Sequence, residues 1–406
     1  MVGWLATDEE TSIARAPHPT YATTTTERAV LVGVDVTERK GRAHWSAQAS
    51  LDELEMLAET AGAVPVARVL QRLKHPDRRS YIGKGKLADL VRAQESLRYT
   101  VAIFDDELTP AQQVVLEKAL DVKVLDRTAL ILDIFGQRAQ TREGSLQVAL
   151  AQHEYLLPRL AGQWSHLERM EGAIGARGPG ESQLETDRRL IRDRIKKLKR
   201  EIAQVRRHRE RYRQNRRRNG VPVVALAGYT NAGKSTLMNA LTGAGVRVHD
   251  RLFETLDPLT RRTALADGRP LLLTDTVGFI EKLPTQLVAA FRATLEELNE
   301  ADLLLHVVDI THPDAAEQSQ TVENTLAELG LSERPVLTVL NKADLLEGVG
   351  KWNGRVPPEA MLEFAERVQQ ERPGTLLISA EKRWGIDELR KRVGLMLAAG
   401  SPVVAG

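Results

Sequence analysis

Two hydrophobic rhythms alternate along residues 28–140. "RAVLVGVDV" at 28–36, "VPVARVL" at 64–70, "YTVAIFD" at 99–105 and "VKVLD" at 122–126 are short apolar runs of strand type. Between them, apolar residues recur every three or four positions, the helical spacing. "SLDELEMLAETAG" predicts a helix with Ser50 as N-cap, Glu53 at the capping-box spacing and a stop at Gly62. "LTPAQQVVLEKAL" predicts another, with Thr109 as N-cap and Pro110 at the first helical position. Strands separated by helices imply a parallel sheet covered on both faces.

The rhythm then changes. Leu146, Leu150, His153, Leu157, Leu160, Trp164 and Leu167 step by four and three, and so do Ile191, Ile195, Leu198, Ile202 and Val205, with Tyr212 beyond. A seam of that period predicts two paired helices. The intervening "EGAIGARGPGES" is too rich in glycine and proline to continue either one, so it reads as the tip of an antiparallel hairpin. Pro158 is expected to kink the first arm. His153 on the seam reads as a packed polar residue rather than a metal ligand. From Val221 the strand and helix alternation returns in "VPVVALAG", "PLLLTD", "DLLLHVVD", "RPVLTVLN" and "TLLISA". The expected divisions are a tail at 1–27, an α/β unit at 28–141, a helical hairpin at 142–219 with its Gly-rich tip at 171–182, a second α/β unit at 220–400, and a tail at 401–406.

Composition narrows the setting. The chain has 406 residues, 42% of them hydrophobic, and no cysteine, which excludes disulfides, thiolate catalysis and Cys-based zinc sites. No stretch is apolar enough to span a bilayer and no signal peptide is evident, so a cytoplasmic monomer without membrane insertion is expected. Residues 188–218 hold 16 Lys and Arg against three acids, while the whole chain is only +2, so the remainder is net acidic. A self-repelling cationic helix on an acidic body points to a polyanionic partner, and Arg177, Gly178, Arg188, Arg189, Arg206, Arg207, Arg209 and Arg211 are candidates for RNA contact. The bland alternative is the solvated face of a coiled coil.

"GYTNAGKST" at 228–236 fits the phosphate-loop pattern and lies between a strand and a helix. Gly228 and Gly233 let backbone N–H groups approach phosphate, with Tyr229, Thr230, Asn231 and Ala232 between them; Lys234 supplies charge, Ser235 a hydroxyl for Mg²⁺, and Thr236 follows. "NKAD" places Asn341, Lys342 and Asp344 after a strand. The Asp344 carboxylate can accept from N1–H and the exocyclic amine of guanine, whereas adenine would leave it unpaired. Ser379, Ala380 and Glu381, again after a strand, add backbone contacts to the base. GTP and GDP are therefore the expected ligands.

Asp275, followed by Thr276, closes a strand where a Mg²⁺-holding acid belongs, and Gly278 lets a backbone N–H approach the terminal phosphate. Thr255 is the candidate threonine that closes over Mg²⁺, with Thr260 and Thr263 as competitors. Lys234, Thr255 and Gly278 are thus the candidate catalytic groups. Phe279 stands where many switch GTPases place a water-orienting glutamine, and a phenyl ring cannot do that work. That substitution keeps alive an RNA-binding scaffold with structural GTP and negligible turnover.

With those motifs in order, the chain resembles the HflX family of ribosome-associated GTPases. The resemblance rests on "SYIGKGK" at 80–86, "RGPGESQLETDRR" at 177–189, "GYTNAGKSTL" at 228–237 and "DTVGFI" at 275–280. It implies an α/β protein in three parts: a small N-terminal parallel α/β domain, an antiparallel helical hairpin and a Ras-like P-loop GTPase domain. It also implies binding to the large ribosomal subunit and intact ribosomes, ribosome splitting under stress, and GTP hydrolysis that is slow alone and stimulated by the ribosome. A large-subunit assembly role is the same-fold alternative. A second, adenine-nucleotide (ATP) activity is associated with the family, and "GKGK" at 83–86 is a candidate contact for it, as it is for RNA backbone or a plain turn. Related potassium-dependent GTPases carry asparagine where Asn231 stands, which makes K⁺ a candidate cofactor beside Mg²⁺; the alternative is that the Asn231 amide only fixes the loop. Some members carry a further C-terminal domain that is not expected after "IDELRKRVGLML".

Overall fold

The structure, a computed structural model, describes residues 26–37, 45–160, 179–218, 220–243, 252–253, 255–283, 298–346, 359–372 and 374–400. The first part is β1 (Arg28–Val36), α1 (Ala47–Thr60), β2 (Val64–Leu73), α2 (Lys84–Leu97), β3 (Val101–Phe104), α3 (Pro110–Leu120), β4 (Lys123–Asp126) and α4 (Arg127–Arg138). Its four strands form a parallel sheet in the order β2-β1-β3-β4. Ala29, Val30, Leu31 and Val32 of β1 are fully buried, as expected for a strand covered on both faces.

The Thr109 cap forms as expected: its hydroxyl accepts from Gln112 N, and Pro110 opens the helix. The Ser50 cap does not. α1 starts earlier, at Ala47, and Ser46 Oγ accepts from Ala49 N at 3.0 Å. Ser50 lies one turn inside the helix and donates to Asp105 Oδ2 at 2.7 Å. Its partner is set by tertiary packing, which local spacing cannot register.

α5 (Arg142–Leu156) and α6 (Pro179–Arg218) pack along the anticipated seam, with Leu150, Ile195, Leu198 and Ile202 buried between them. α5 stops at Leu156, the helix is interrupted around Pro158 and helical backbone reappears at Leu160, as a proline without an N–H and restricting the residue before it requires; the rest of the expected first arm, with Trp164 and Leu167, lies outside the described residues. Arg159 then folds back, its guanidinium 3.5 Å from the Tyr155 ring centroid and 2.7 Å from Leu108 O, which roots the hairpin on the N-terminal unit. α6 opens on Pro179, inside the stretch expected to be a loop. Proline is well tolerated at a first helical position, where its missing N–H has no intrahelical partner. His153 is held by its own helix, Nδ1 donating to Ala149 O at 2.6 Å.

The third part is β5 (Val223–Gly228), α7 (Lys234–Thr242), β6 (Leu259–Ala264), β7 (Pro270–Asp275), β8 (Leu303–Asp309), α8 (Ala315–Glu328), β9 (Val336–Asn341), α9 (Glu359–Glu371), β10 (Thr375–Leu377) and α10 (Ile386–Gly400). The six-stranded sheet runs β10-β9-β8-β5-β7-β6, parallel except for β6. β6 was not legible: "LTRRTA" is an edge strand with two exposed arginines and no apolar run. This is the Ras-like α/β architecture expected. Among the described residues no helix is long and apolar enough to cross a membrane.

One apolar cluster joins the two α/β units. It includes Leu31, Leu54 and Phe135 from the first, and Tyr229, Phe253, Phe279 and Leu304 from the second. Phe135 meets Phe253 edge to face at 4.5 Å, and Trp45 stacks on Tyr229 at 5.4 Å. Asp257 accepts from the backbone N–H groups of Gln140 and Thr141, at 2.9 and 2.8 Å, where the hairpin begins.

Candidate nucleotide site

The site forms where β5, β7, β9 and β10 end. β5 delivers the chain into residues 229–233, and α7 begins at Lys234 with no side-chain cap. First-turn N–H groups of such a helix favour an anion. Gly233 has φ of +89°, and a Cβ there would lie 2.3 Å from Asn341 Nδ2, so only glycine fits the turn. Asn231 also has positive φ, +59°, which asparagine tolerates. Its side chain is exposed.

Three oxygens meet below this loop. Ser235 Oγ donates to Asp275 Oδ2 at 2.8 Å, Thr255 Oγ1 donates to the same oxygen at 3.0 Å, and the two hydroxyls are 3.0 Å apart. Asp275 is 2% exposed, and its other oxygen, Oδ1, is buried without a hydrogen-bond partner. Burial pushes the Asp275 carboxyl above the usual range, against the pull of Lys234. One carboxylate with two hydroxyls and an unpartnered oxygen fits Mg²⁺, which needs few protein oxygens when phosphate and water complete its shell. The competing threonines face elsewhere: Thr260 pairs with Thr274 and Thr263 donates to Leu241 O.

Lys234 is buried and donates to Gly228 O at 3.0 Å and Tyr229 O at 2.7 Å. Burial brings it down to about 8, partly offset by Asp275. Gly278 packs against the loop so closely that a Cβ would sit 2.9 Å from Thr230 Cα and 3.0 Å from Lys234 Nζ. Thr230 N donates to Phe279 O at 2.8 Å, and Phe279 N to Gly228 O at 3.0 Å. The Thr230 hydroxyl is buried and unpartnered, while the Thr276 hydroxyl is taken by Leu226 O at 2.6 Å. Ala232 is fully buried, and Thr236 is half-buried in the first turn of α7. Phe279 is 2% exposed, its ring in the inter-unit core.

The strand-end loops at 341–344 and 379–381 are tied to the loop at 229–233. Asn341 Nδ2 donates to Ala232 O at 3.0 Å and its Oδ1 accepts from Ala380 N at 3.0 Å, so this amide braces three loops. Asp344 Oδ1 accepts from Ser379 Oγ at 2.7 Å, and Ser379 Oγ accepts from Lys382 N. Lys342 has φ of +66° and reaches Asp309 at 2.7 Å; Glu381 is exposed.

On the cationic helix, Arg189 and Arg207 are exposed and Arg188 and Arg206 half-buried; Arg209 and Arg211 lie within α6, their side chains outside the described residues. Arg177 and Gly178 lie outside the described residues. Gly83 is the N-cap of α2, so "GKGK" starts a helix; its amide donates to Gln71 Oε1 at 2.8 Å.

Sequence reasoning missed the contacts that join the units. The Tyr229 hydroxyl donates to Glu53, and Glu53 pairs with Arg127. Arg127 is 1% exposed and also meets Asp105 at 2.6 Å, which in turn holds Lys282. Burial pushes Glu53 up to about 7 despite Arg127, and Glu281 and Asp105 add to the rise; for Asp105, Arg127 and Lys282 outweigh burial and hold it low. The available signal was the position of Glu53, an acid on the apolar face of α1 beside Leu54 and one turn before Leu57, whereas Asp52, Glu55 and Glu59 lie off that face.

Three family models match consecutive parts of the chain: a GTP-binding GTPase N-terminal region at 48–136, a GTP-binding GTPase middle region at 138–216, and a 50S ribosome-binding GTPase at 223–342. A GTPase HflX of Caldanaerobacter subterraneus subsp. tengcongensis is 47% identical over 379 residues, covering 93% of this chain and 82% of its own. A GTPase HflX of Lacrimispora saccharolytica is 52% identical over 318 residues, 78% of this chain and 74% of its own. That of Escherichia coli K12 is 44% identical over 363 residues, 89% and 81%. A crystal structure of a GTP-binding protein from Sulfolobus solfataricus in complex with GDP is 25% identical, with a TM-score of 0.44, over 93% of this chain and all of that one. The assignment rests on the sequence relatives rather than on that overlap: the chain belongs to the HflX family of GTPases.

Proposed function

We propose that this protein binds GTP with Mg²⁺, hydrolyses it slowly alone and faster on the large ribosomal subunit, and uses the GTP-bound state to split ribosomes. The observation that carries the reading is the convergence of Ser235, Thr255 and Asp275 beside Lys234, at the mouth of a loop built for phosphate. Those three residues would hold the metal. When bound, Mg²⁺ neutralises charge on the phosphate oxygens. The chain does the rest: α7 N–H groups and Lys234 hold the phosphates, Asp344 with the Ser379–Glu381 turn reads guanine, and Thr255 with the Gly278 amide places the water.

Phe279 explains the expected slowness. Its ring belongs to the core, so no side chain of the turn reaches the water, and the backbone must be ordered instead. Ribosome contact along α6 would supply that order. The exposed Asn231 amide is free to take K⁺ beside the phosphates, and replacing K⁺ with Na⁺ would then slow turnover.

Sucrose-gradient profiles of intact ribosomes, with protein and GTP or a non-hydrolysable analogue, test the reading. Subunit peaks should grow with either nucleotide. Intact ribosomes throughout, with protein bound, would favour the scaffold.

A further inference from the structure

Tyr229 sits in the phosphate loop, but its side chain leaves it. The ring is buried between the two α/β units against Trp45, and its hydroxyl donates to the Glu53 carboxylate and accepts the Glu281 amide N–H at 2.7 Å. Glu281 lies three residues beyond Gly278, on the segment whose backbone already pairs with the phosphate loop through Gly228, Thr230 and Phe279. The hydroxyl adds one more rung to that pairing. Glu53 is fixed in turn by Arg127, a fully buried guanidinium.

We propose that Glu53, a residue of the N-terminal unit, is a positioning residue for GTP hydrolysis: by fixing the Tyr229 hydroxyl it holds the phosphate loop and the Asp275–Gly278 turn in hydrolytic register. The inference rests on the GTPase reading above. Its physical basis is the absence of a water-orienting side chain at Phe279. Placement of water then depends on backbone, and a misplacement of about 1 Å costs on the order of 100-fold in rate. A phosphate cradle needs only backbone N–H groups from residue 229, so the hydroxyl is superfluous for binding phosphate. It is the group that couples two loops that must act together. A carboxylate buried to 6% exposure is costly unless paired and hydrogen-bonded, and here its bonds run to Arg127 and to this hydroxyl.

Steady-state and single-turnover hydrolysis by the full chain tests this. Tyr229→Phe and Glu53→Leu should each lower kcat about tenfold with KM for GTP held within about twofold. The double variant should be no slower than the slower single, because both break one link. Glu53→Gln keeps a carbonyl acceptor for the hydroxyl and should stay within about threefold of the parent rate. An unchanged or faster kcat in Tyr229→Phe overturns the proposal, as does a loss confined to KM or a double variant as slow as the two losses multiplied. Tyr229→Phe removes one oxygen and keeps the ring, so it remains decisive if Glu53→Leu does not fold. Binding of a fluorescent GTP analogue to the parent protein separates the two ideas. No binding there removes the GTPase reading, whereas binding with a kcat indifferent to Tyr229 removes only the positioning role.

Discussion

The two sheets put carboxylates at the same kind of place, the C-terminal end of a strand, and treat them in opposite ways. In the N-terminal sheet, Asp105 follows β3 and is met by Arg127, Lys282 and Ser50; Asp126 ends β4 and is met by Arg159 and by the amides of Leu108 and Ala129. In the nucleotide sheet, Asp275 ends β7 and faces two hydroxyls with one oxygen unpartnered. An acid saturated by arginine, lysine and backbone amides holds a fold together. An acid left with weak donors and an orphaned oxygen is poised for a ligand that brings positive charge. Strand-end position alone cannot tell the two apart; the partners do.

The sharpest way to break the comparison is to neutralise each acid. Asp275→Asn should lower GTP turnover at least about 1000-fold, as the loss of Mg²⁺ support removes charge stabilisation worth some kcal/mol. Stopped-flow phosphate release measures it, and a rate within tenfold of the parent would remove Asp275 from the site. Phe279→Ala tests the packing role of the turn. The ring is 2% exposed, so its loss should cost about 3–5 kcal/mol of stability, read by denaturant melts, with a far smaller effect on chemistry per folded molecule.

Asp126→Ala should behave as the mirror of Asp275→Asn. It strands Arg159 and uncaps α4, so stability should fall by about 3 kcal/mol, while turnover of folded protein stays within about twofold. A turnover loss matching that of Asp275→Asn would show that Asp126 is not merely structural. Asp344→Asn should weaken GTP binding about 100-fold and admit xanthine nucleotides, because a donor then faces the guanine amine; isothermal titration reads both.

The smallest effect is a pH dependence at the junction of the units. Glu53 rises from 4.5 to about 7 on folding, driven by burial and opposed by Arg127. A carboxyl raised on folding binds more protons in the native state, so its contribution is fully present below about 4.5 and is lost as pH rises through about 7. Stability should fall by about 2 kcal/mol between about pH 5 and pH 7 through this group, and Glu53→Gln should flatten that slope. A slope unchanged in the variant would assign the titration to another group.

Local rules were enough for much of this molecule. The apolar strand runs, the Thr109 cap, the seam of Leu150, Ile195, Leu198 and Ile202, and the nucleotide motifs were all legible, because each is set by residues close in sequence. The preference for Thr255 over Thr260 and Thr263 came from order along the chain, and the structure adds that Thr255 lies 3.0 Å from both Ser235 and Asp275, which supports the proposed role. The edge strand β6 was not, since exposed arginines hide its pairing with β7.

What the sequence determined by itself was therefore the element types, the two α/β units and the nucleotide chemistry, whose backbone and side-chain requirements sit within nine residues at 228–236 and in short strand-end motifs. Only the tertiary structure decided that Ser50 pairs with Asp105 instead of capping a helix, that Phe279 is core, and that Tyr229 reaches across to Glu53, a residue 176 positions away. The reason is physical. Capping, periodicity and phosphate cradling are short-range and leave a pattern, whereas burial of a polar group is favourable only when distant partners arrive together, and their arrival has no local signature.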